Sequence, residues 1–280
     1  MIFFRYKNQV FSFVLSVIFL VSPLTGCSSP SNANNEKKEI VFGFTPGPYS
    51  DQVSKGIKPF LEQKGYKVKV MEFSSSNEST AALSRGEIDL NVHQSTAYMK
   101  SISKENNYDL AVLTHVPSAP QGLYSYKHTS EADVKDGMRV AIPNDPVNSE
   151  RALRIIEKLG WIKVKDTANL LTISEKDIVQ GSHKLTFVPL ESAQIPRAMD
   201  DLDFGILNGN FVISSGHKLS EAFVLEETPM EHRVVAVVRN QDKDSEWAKA
   251  VYEAYRSKEF KEIIKTDPNF EGYILPDYMK

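Results

Sequence analysis

From residue 39 onward the apolar positions fall into two alternating periods, one suited to strands and one to helices. Ile40-Val41-Phe42-Gly43-Phe44 is an apolar run closed by Pro46-Gly47-Pro48, which predicts a buried strand. Val53, Ile57, Phe60 and Leu61 follow at helical spacing and stop at Gly65. Pro59 inside that stretch is expected to kink or weaken the helix. Val68 and Val70 alternate with Lys67 and Lys69, giving a strand with one wet face. A short helix over 79–84 leads to a strand at 88–91, and a helix over 96–106 leads to a strand at 110–113. Repeated βα units of this length predict a parallel sheet with helices on both faces.

Pro117, Pro120 and Gly122 interrupt the rhythm, and a second α/β series follows. It reads as a strand at 139–142, a helix at 149–159 ended by Gly160, and a strand at 185–188. A short helix at 194–200 precedes a strand at 204–207. Val234 to Val238 then forms a continuous apolar strand, and Trp247, Val251, Ala254 and Tyr255 lie on one face of a long amphipathic helix. The expected architecture is α/β with two lobes: 39–119 together with 235–280, and 120–234. Crossovers near 117–125 and 228–234 would form a hinge. A small ligand would lie in the interlobe cleft, near the carboxyl ends of the strands.

The first residues have a different pattern. Arg5 and Lys7 precede an apolar run from Val10 to Leu24. That run is roughly 15 residues long, short of the ~20 a bilayer-spanning helix needs. Leu24-Thr25-Gly26-Cys27 follows, and then a polar stretch rich in Ser and Asn. This predicts a lipoprotein signal over 1–26, cleavage before Cys27, acylation of its thiol, and a flexible tether over 27–38. Two or three acyl chains hold a protein on a membrane where one would not, at about 0.8 kcal/mol per buried CH₂. Cys27 is the only cysteine of the chain, so no intramolecular disulfide is available and stability must come from the core. The roughly 240 residues left are enough for one large or two smaller lobes. The formal charge of −3 becomes more negative once Arg5 and Lys7 are removed, which argues against nucleic acid as a partner.

The candidate chemistry points to binding. The chain has no phosphate-cradling glycine loop, no G-x-S-x-G elbow and, with Cys27 acylated, no usable thiol. Its six histidines lack paired-ligand spacing, so neither a metal nor another cofactor is expected. The informative stretch is Pro143-Asn144-Asp145-Pro146-Val147-Asn148-Ser149-Glu150-Arg151. A strand ends, a turn follows, and Asn148 or Ser149 is expected to cap a helix with Arg151 in its first turn. A cation there opposes the helix dipole. Either a carboxylate such as Glu150 or Asp145 or a bound anion would offset it. Asn208-Gly209-Asn210, also directly after a strand, fits either a helix cap or the polar end of a zwitterion.

These segments resemble the NlpA/MetQ family, the lipoprotein receptors of methionine-uptake ABC transporters. The resemblance runs from about Ile40 to the C-terminal helix. It rests on Thr45-Pro46-Gly47-Pro48, Gly86-Glu87-Ile88-Asp89, Gln94 with Tyr98, Gly122-Leu123-Tyr124-Ser125 and the run from Ala141 to Pro146. Arg151-Ala152-Leu153, Gln194-Ile195-Pro196-Arg197 and Asn208-Gly209-Asn210 complete it. It implies a two-lobed periplasmic-binding-protein fold and a lipid-anchored receptor on the extracytoplasmic face of the cell membrane. The implied partners are an amino acid such as methionine and an ABC permease with its ATPase.

By the same resemblance Arg151 and Asn148 would hold the ligand carboxylate, Asn208 would lie at its polar end, and Asn144 and Tyr98 would line the cleft. Methionine-binding members usually have Tyr where this chain has Ser76, Phe where it has His93, His where it has Ser95, and Asn near Val234. Loss of two aromatic walls removes apolar contact at about 25 cal/mol per Å². Methionine is therefore expected to bind more weakly here unless Tyr98 or Phe211 compensates. A methionine derivative, another amino acid or a short peptide is the alternative ligand, and an adhesin or signalling lipoprotein the alternative role.

Overall fold

A computed structural model describes residues 37–165 and 177–280 of the chain. The signal segment, Cys27 and the tether as far as residue 36 lie outside the described residues. The described residues begin with β1 (Glu39–Phe44), α1 (Pro48–Gln52), a π-helical turn (Val53–Ile57), α2 (Lys58–Gln63) and β2 (Lys67–Glu72). Next come α3 (Ser76–Arg85), β3 (Leu90–Ser95), α4 (Thr96–Asn106) and β4 (Leu110–His115). The middle holds β5 (Gln121–Tyr124), β6 (Arg139–Pro143), α5 (Pro146–Lys158), β7 (Ile162–Val164) and β8 (Ile178–Gln180). It continues with β9 (Thr186–Leu190), α6 (Ile195–Ala198), β10 (Phe204–Asn208), α7 (Gly209–Ser214) and β11 (Val224–Leu225). β12 (Val234–Arg239), α8 (Glu246–Ala254) and α9 (Lys258–Thr266) close the sequence of elements.

Two five-stranded sheets carry the fold, one ordered β2-β1-β3-β12-β4 and the other β11-β5-β10-β6-β9. Neither is the purely parallel sheet the βα rhythm predicts. β1, β2 and β3 are parallel, but β12 runs antiparallel to both β3 and β4. In the second sheet β6 is parallel to β9 and β10, whereas β5 opposes β10 and β11. The chain enters β12 on its return from the second sheet, not through a helical crossover from β3 or β4, so the right-handed βαβ rule does not fix its direction.

Each sheet buries both faces, and strand alternation decides which side chain goes where. Ile40, Phe42 and Phe44 share one cluster with Leu90, Val92, Ala236 and Val238. Val235 and Val237 point the other way, onto Leu83, Ile88 and Met99. In the second sheet Val140, Ile142, Phe204 and Ile206 face α5, while Ala141 and Leu207 face Ile195 and Met199. Each fully buried large apolar side chain contributes roughly 1.5–3 kcal/mol.

Local chemistry sets the helix ends, in places differently from the sequence pattern. Pro59 lies within one continuous helical run from Pro48 to Gln63, and the turn immediately before it, Val53–Ile57, is π-helical, so the regular helix is interrupted next to the residue that lacks an N–H. Ser75 caps α3 by accepting from the Glu78 N–H, so that helix begins at Ser76, before the expected residue 79. It ends at Gly86, whose φ of 79° is the left-handed conformation glycine tolerates. α5 begins at Pro146 with Asp145 as its cap, which corrects the expected cap at Asn148 or Ser149. The expected long C-terminal helix is two helices, α8 and α9, the second capped by Ser257.

The chain passes between the sheets at 116–120 and again at 226–233. The two passages are tied together: Val116 N–H donates to Val234 C=O, and Val234 N–H donates to Ser118 Oγ at 2.8 Å.

Candidate functional site

Between the two sheets lies a cavity of about 320 Å³. Its walls come from strand ends and helix starts. Thr45 follows β1, Ser76 and Asn77 open α3, and Tyr98 lies in the first turn of α4. On the other side Asn144 and Asp145 follow β6, Glu191 and Ser192 follow β9, and Asn208 ends β10. Ligand sites at the carboxyl ends of strands are the general rule for open α/β sheets.

At the α5 end the side chains form one connected network. Asp145 accepts from the Asn148 N–H and from Asn148 Nδ2, both at 2.9 Å. Asn148 Oδ1 accepts from Arg151 Nη1 at 2.8 Å. Arg151 donates through Nε to Glu226 Oε2 at 3.1 Å and through Nη2 to Glu226 Oε1. Glu226 also accepts from the Gln121 N–H at 2.8 Å and the Thr228 hydroxyl at 2.9 Å. Gln121 Nε2 reaches Asn208 Oδ1 at 2.7 Å.

Arg151 and Glu226 are buried as a pair, their side chains 8 % and 7 % exposed. Burial alone would raise the Glu226 carboxyl, but Arg151, the Gln121 N–H and Thr228 together hold it below the usual range. The compensating carboxylate of Arg151 is therefore Glu226, not the nearby Glu150 or Asp145, and Arg151 lies in the second turn of α5 instead of the first. Three of its five N–H donors are used, leaving one on each terminal nitrogen. Asn208 occupies the cap position of α7 without capping it, and with Oδ1 engaged it presents its NH₂. What this end offers is a set of donors, the complement of a carboxylate.

The α3 end differs. His93 is the extra residue of a β-bulge: Gln94 opposes Val235 and Val92 opposes Ala236, leaving His93 unpaired on β3. Such a bulge re-aims one side chain, here into the cleft. Among the described residues neither ring nitrogen of His93 has a hydrogen-bond partner, and burial pushes its pKa down to about 3, so the ring is neutral at physiological pH. Gln94 Nε2 donates to Asn91 Oδ1, but Gln94 Oε1 and the Thr45 hydroxyl, both buried, lack partners among the described residues. Tyr98 OH donates to Asn77 Oδ1 at 2.6 Å. Burial raises the Asp145 carboxyl, and burial followed by repulsion from Asp145 raises that of Glu191.

Of the expected site residues, Asn144, Asn148, Arg151, Asn208, Tyr98, His93 and Ser76 line this cavity. Ser95 does not. It is buried and caps α4, accepting from the Tyr98 N–H at 3.2 Å, so its hydroxyl is spent on the helix end. Glu226, Gln121 and Glu191 were not singled out by the sequence. Glu191 directly follows β9 as observed, but the strand predicted at 185–188 ended too early to point to it; Glu226 has no local signal, because its partner is 75 residues away. Among the described residues no three metal-ligating side chains converge.

The NlpA lipoprotein family model matches residues 40–278. The chain is 28 % identical over 271 residues to a probable D-methionine-binding lipoprotein MetQ of Pasteurella multocida, covering 94 % of this chain and 97 % of that protein. It is 32 % identical over 257 residues to the D-methionine-binding lipoprotein MetQ of Salmonella typhi, covering 91 % and 93 %. A nutrient binding protein of Burkholderia cenocepacia, solved bound to methionine, superposes with a TM-score of 0.79 at 32 % identity, over 84 % of this chain and 99 % of that one. With one family model spanning both sheets and the cleft between them, this chain belongs to the NlpA lipoprotein family.

Proposed function

We propose that this chain is the lipid-anchored, extracytoplasmic receptor of an ABC importer, and that its cleft closes on an α-amino acid of methionine's size. The observation that carries the reading is the donor set of Arg151 and Asn208, preorganised by Glu226 and Gln121 and facing a cavity of amino-acid size. A buried guanidinium whose charge is already balanced can wait in an open cleft and still direct two N–H groups at a carboxylate. Relatives named for methionine binding supply the ligand class. The twin passages at 116–120 and 226–233 are the hinge on which the lobes would close, with 39–119 plus 235–280 as one lobe and 120–234 as the other. Ligand drives closure only by binding the closed form more tightly.

The test is calorimetric titration of the mature protein with a panel of amino acids, with small-angle scattering alongside. A bound amino acid should reduce the radius of gyration, and Asn208→Ala should weaken binding by roughly 1–3 kcal/mol beyond the loss of ligand-free stability that follows from depriving Gln121 of its acceptor. Absence of both heat and compaction across the panel overturns the receptor reading.

A further inference from the structure

We infer that the cleft selects an amino acid whose side chain ends in a neutral hydrogen-bonding group, in preference to methionine itself. The inference rests on the receptor reading above and concerns the α3 end of the same cavity. Buried polar groups in proteins are almost always hydrogen-bonded, so a cluster of orphans calls for a partner. Among the described residues the orphans are His93 Nδ1 and Nε2, Gln94 Oε1 and Thr45 Oγ1, all on residues lining one cavity; Thr45 and Gln94 fall in segments shared with the family, so His93 is what sets this cleft apart.

Their chemistry defines the complement. A neutral imidazole offers one N–H and one lone pair, and Gln94 presents its free carbonyl oxygen, one of its two amide N–H groups going to Asn91. The Thr45 hydroxyl serves either way. A side chain with both a carbonyl oxygen and an N–H satisfies this set. A side-chain carboxylate would face the Gln94 oxygen, with Asp145 and Glu191 lining the same cavity. A thioether or methyl terminus leaves the orphans unpaired when the cleft closes over them. Sites built to hydrogen-bond a substrate group reject analogues that lack it far more strongly than apolar pockets reject a polar isostere.

Titration of the mature protein with L-glutamine, L-methionine S-oxide, L-methionine, L-norleucine and L-glutamate tests this. At least one of the first two should bind more than ~10-fold tighter than methionine, with norleucine and glutamate weaker still. His93→Phe should invert the order by lowering affinity for the polar probes and raising it for methionine. A second variant, Gln94→Leu, should shift the order the same way if the first does not fold. Methionine or norleucine binding tightest to the unaltered protein overturns this inference and leaves the receptor reading standing. No binding by any probe overturns both.

Discussion

The two ends of the cleft are built on opposite terms. Around α5 the polar groups have answered one another: Asp145 serves Asn148, Asn148 serves Arg151, Arg151 pairs with Glu226, and Gln121 ties the pair to Asn208. Around β3, His93, Gln94 and Thr45 hold polar atoms that nothing among the described residues answers. A closed network stabilises itself and fixes the position of its few spare donors. An open one costs stability until something from outside completes it. The same cavity thus joins a rigid handle, suited to what all amino acids share, to a demanding socket, suited to what sets one apart.

The largest test of that contrast is Glu226→Ala. It leaves Arg151 buried without its counter-charge, and the ligand-free protein should lose about 3–5 kcal/mol in a urea melt. The double change Arg151→Met with Glu226→Leu should recover much of that loss while abolishing ligand binding, since an apolar pair of similar volume replaces the ions. A loss below about 1 kcal/mol for Glu226→Ala would mean that the pair is not the keystone of the network.

A smaller effect is expected from Gly209→Ala, at the start of α7. A Cβ there would stand 2.5 Å from the Pro120 carbonyl oxygen and 2.7 Å from the Ala119 Cβ. Relief requires α7 to move off the first passage between the sheets, at a cost of roughly 1–3 kcal/mol. Asn208 moves with it, so affinity should fall alongside the melting temperature. Unchanged affinity would show that the handle does not depend on how α7 seats.

The effect at the socket depends on pH and is spread over several pH units. The folded-state pKa of His93, about 3, lies below the ordinary imidazole value of 6.5, so the unfolded chain takes up the proton first as the pH falls. The neutral ring's contribution is fully present above pH 6.5 and is lost toward pH 3, with a ceiling of about 1.4 kcal/mol per pH unit. Asp145 and Glu191, whose folded-state carboxyls are raised, act in the other direction, gaining stability as they protonate. Urea melts across that range for the unaltered protein and His93→Asn should therefore differ by the imidazole contribution, the variant losing less stability in acid. Parallel curves would place His93 in contact with solvent.

How much of this could be read in the chain follows from what each feature depends on. The strands at 40–44 and 234–238 were legible because burial on both faces writes a continuous apolar run. The direction in which β12 pairs was not, since antiparallel and parallel neighbours accept the same residues. Asn208 stood out by its position at a strand end, and Arg151 as a cation near the start of the helix that follows another. Asp145 and Ser95 look the same in sequence whether they meet a ligand or a helix end. Capping claims Ser95 wholly; Asp145 both caps α5 and lines the cavity. The bulge that turns His93 inward is a mismatch between two distant strands, and no local pattern records it.

The place of β12 also governs the order in which the molecule can form. It lies between β3 and β4 in the first sheet, yet the entire second sheet separates it from them along the chain. Until it arrives, β3 and β4 each have an unpaired edge where β12 will dock, and the apolar clusters on both sheet faces lack Val235, Ala236, Val237 and Val238. The second sheet, by contrast, draws its strands from one uninterrupted stretch and closes on contacts nearer in sequence, which lowers its loop-closure cost. A nascent chain would thus carry a finished second lobe beside an unfinished first one, and native-state hydrogen exchange should find the last-formed, jointly protected amides in β3, β4 and β12.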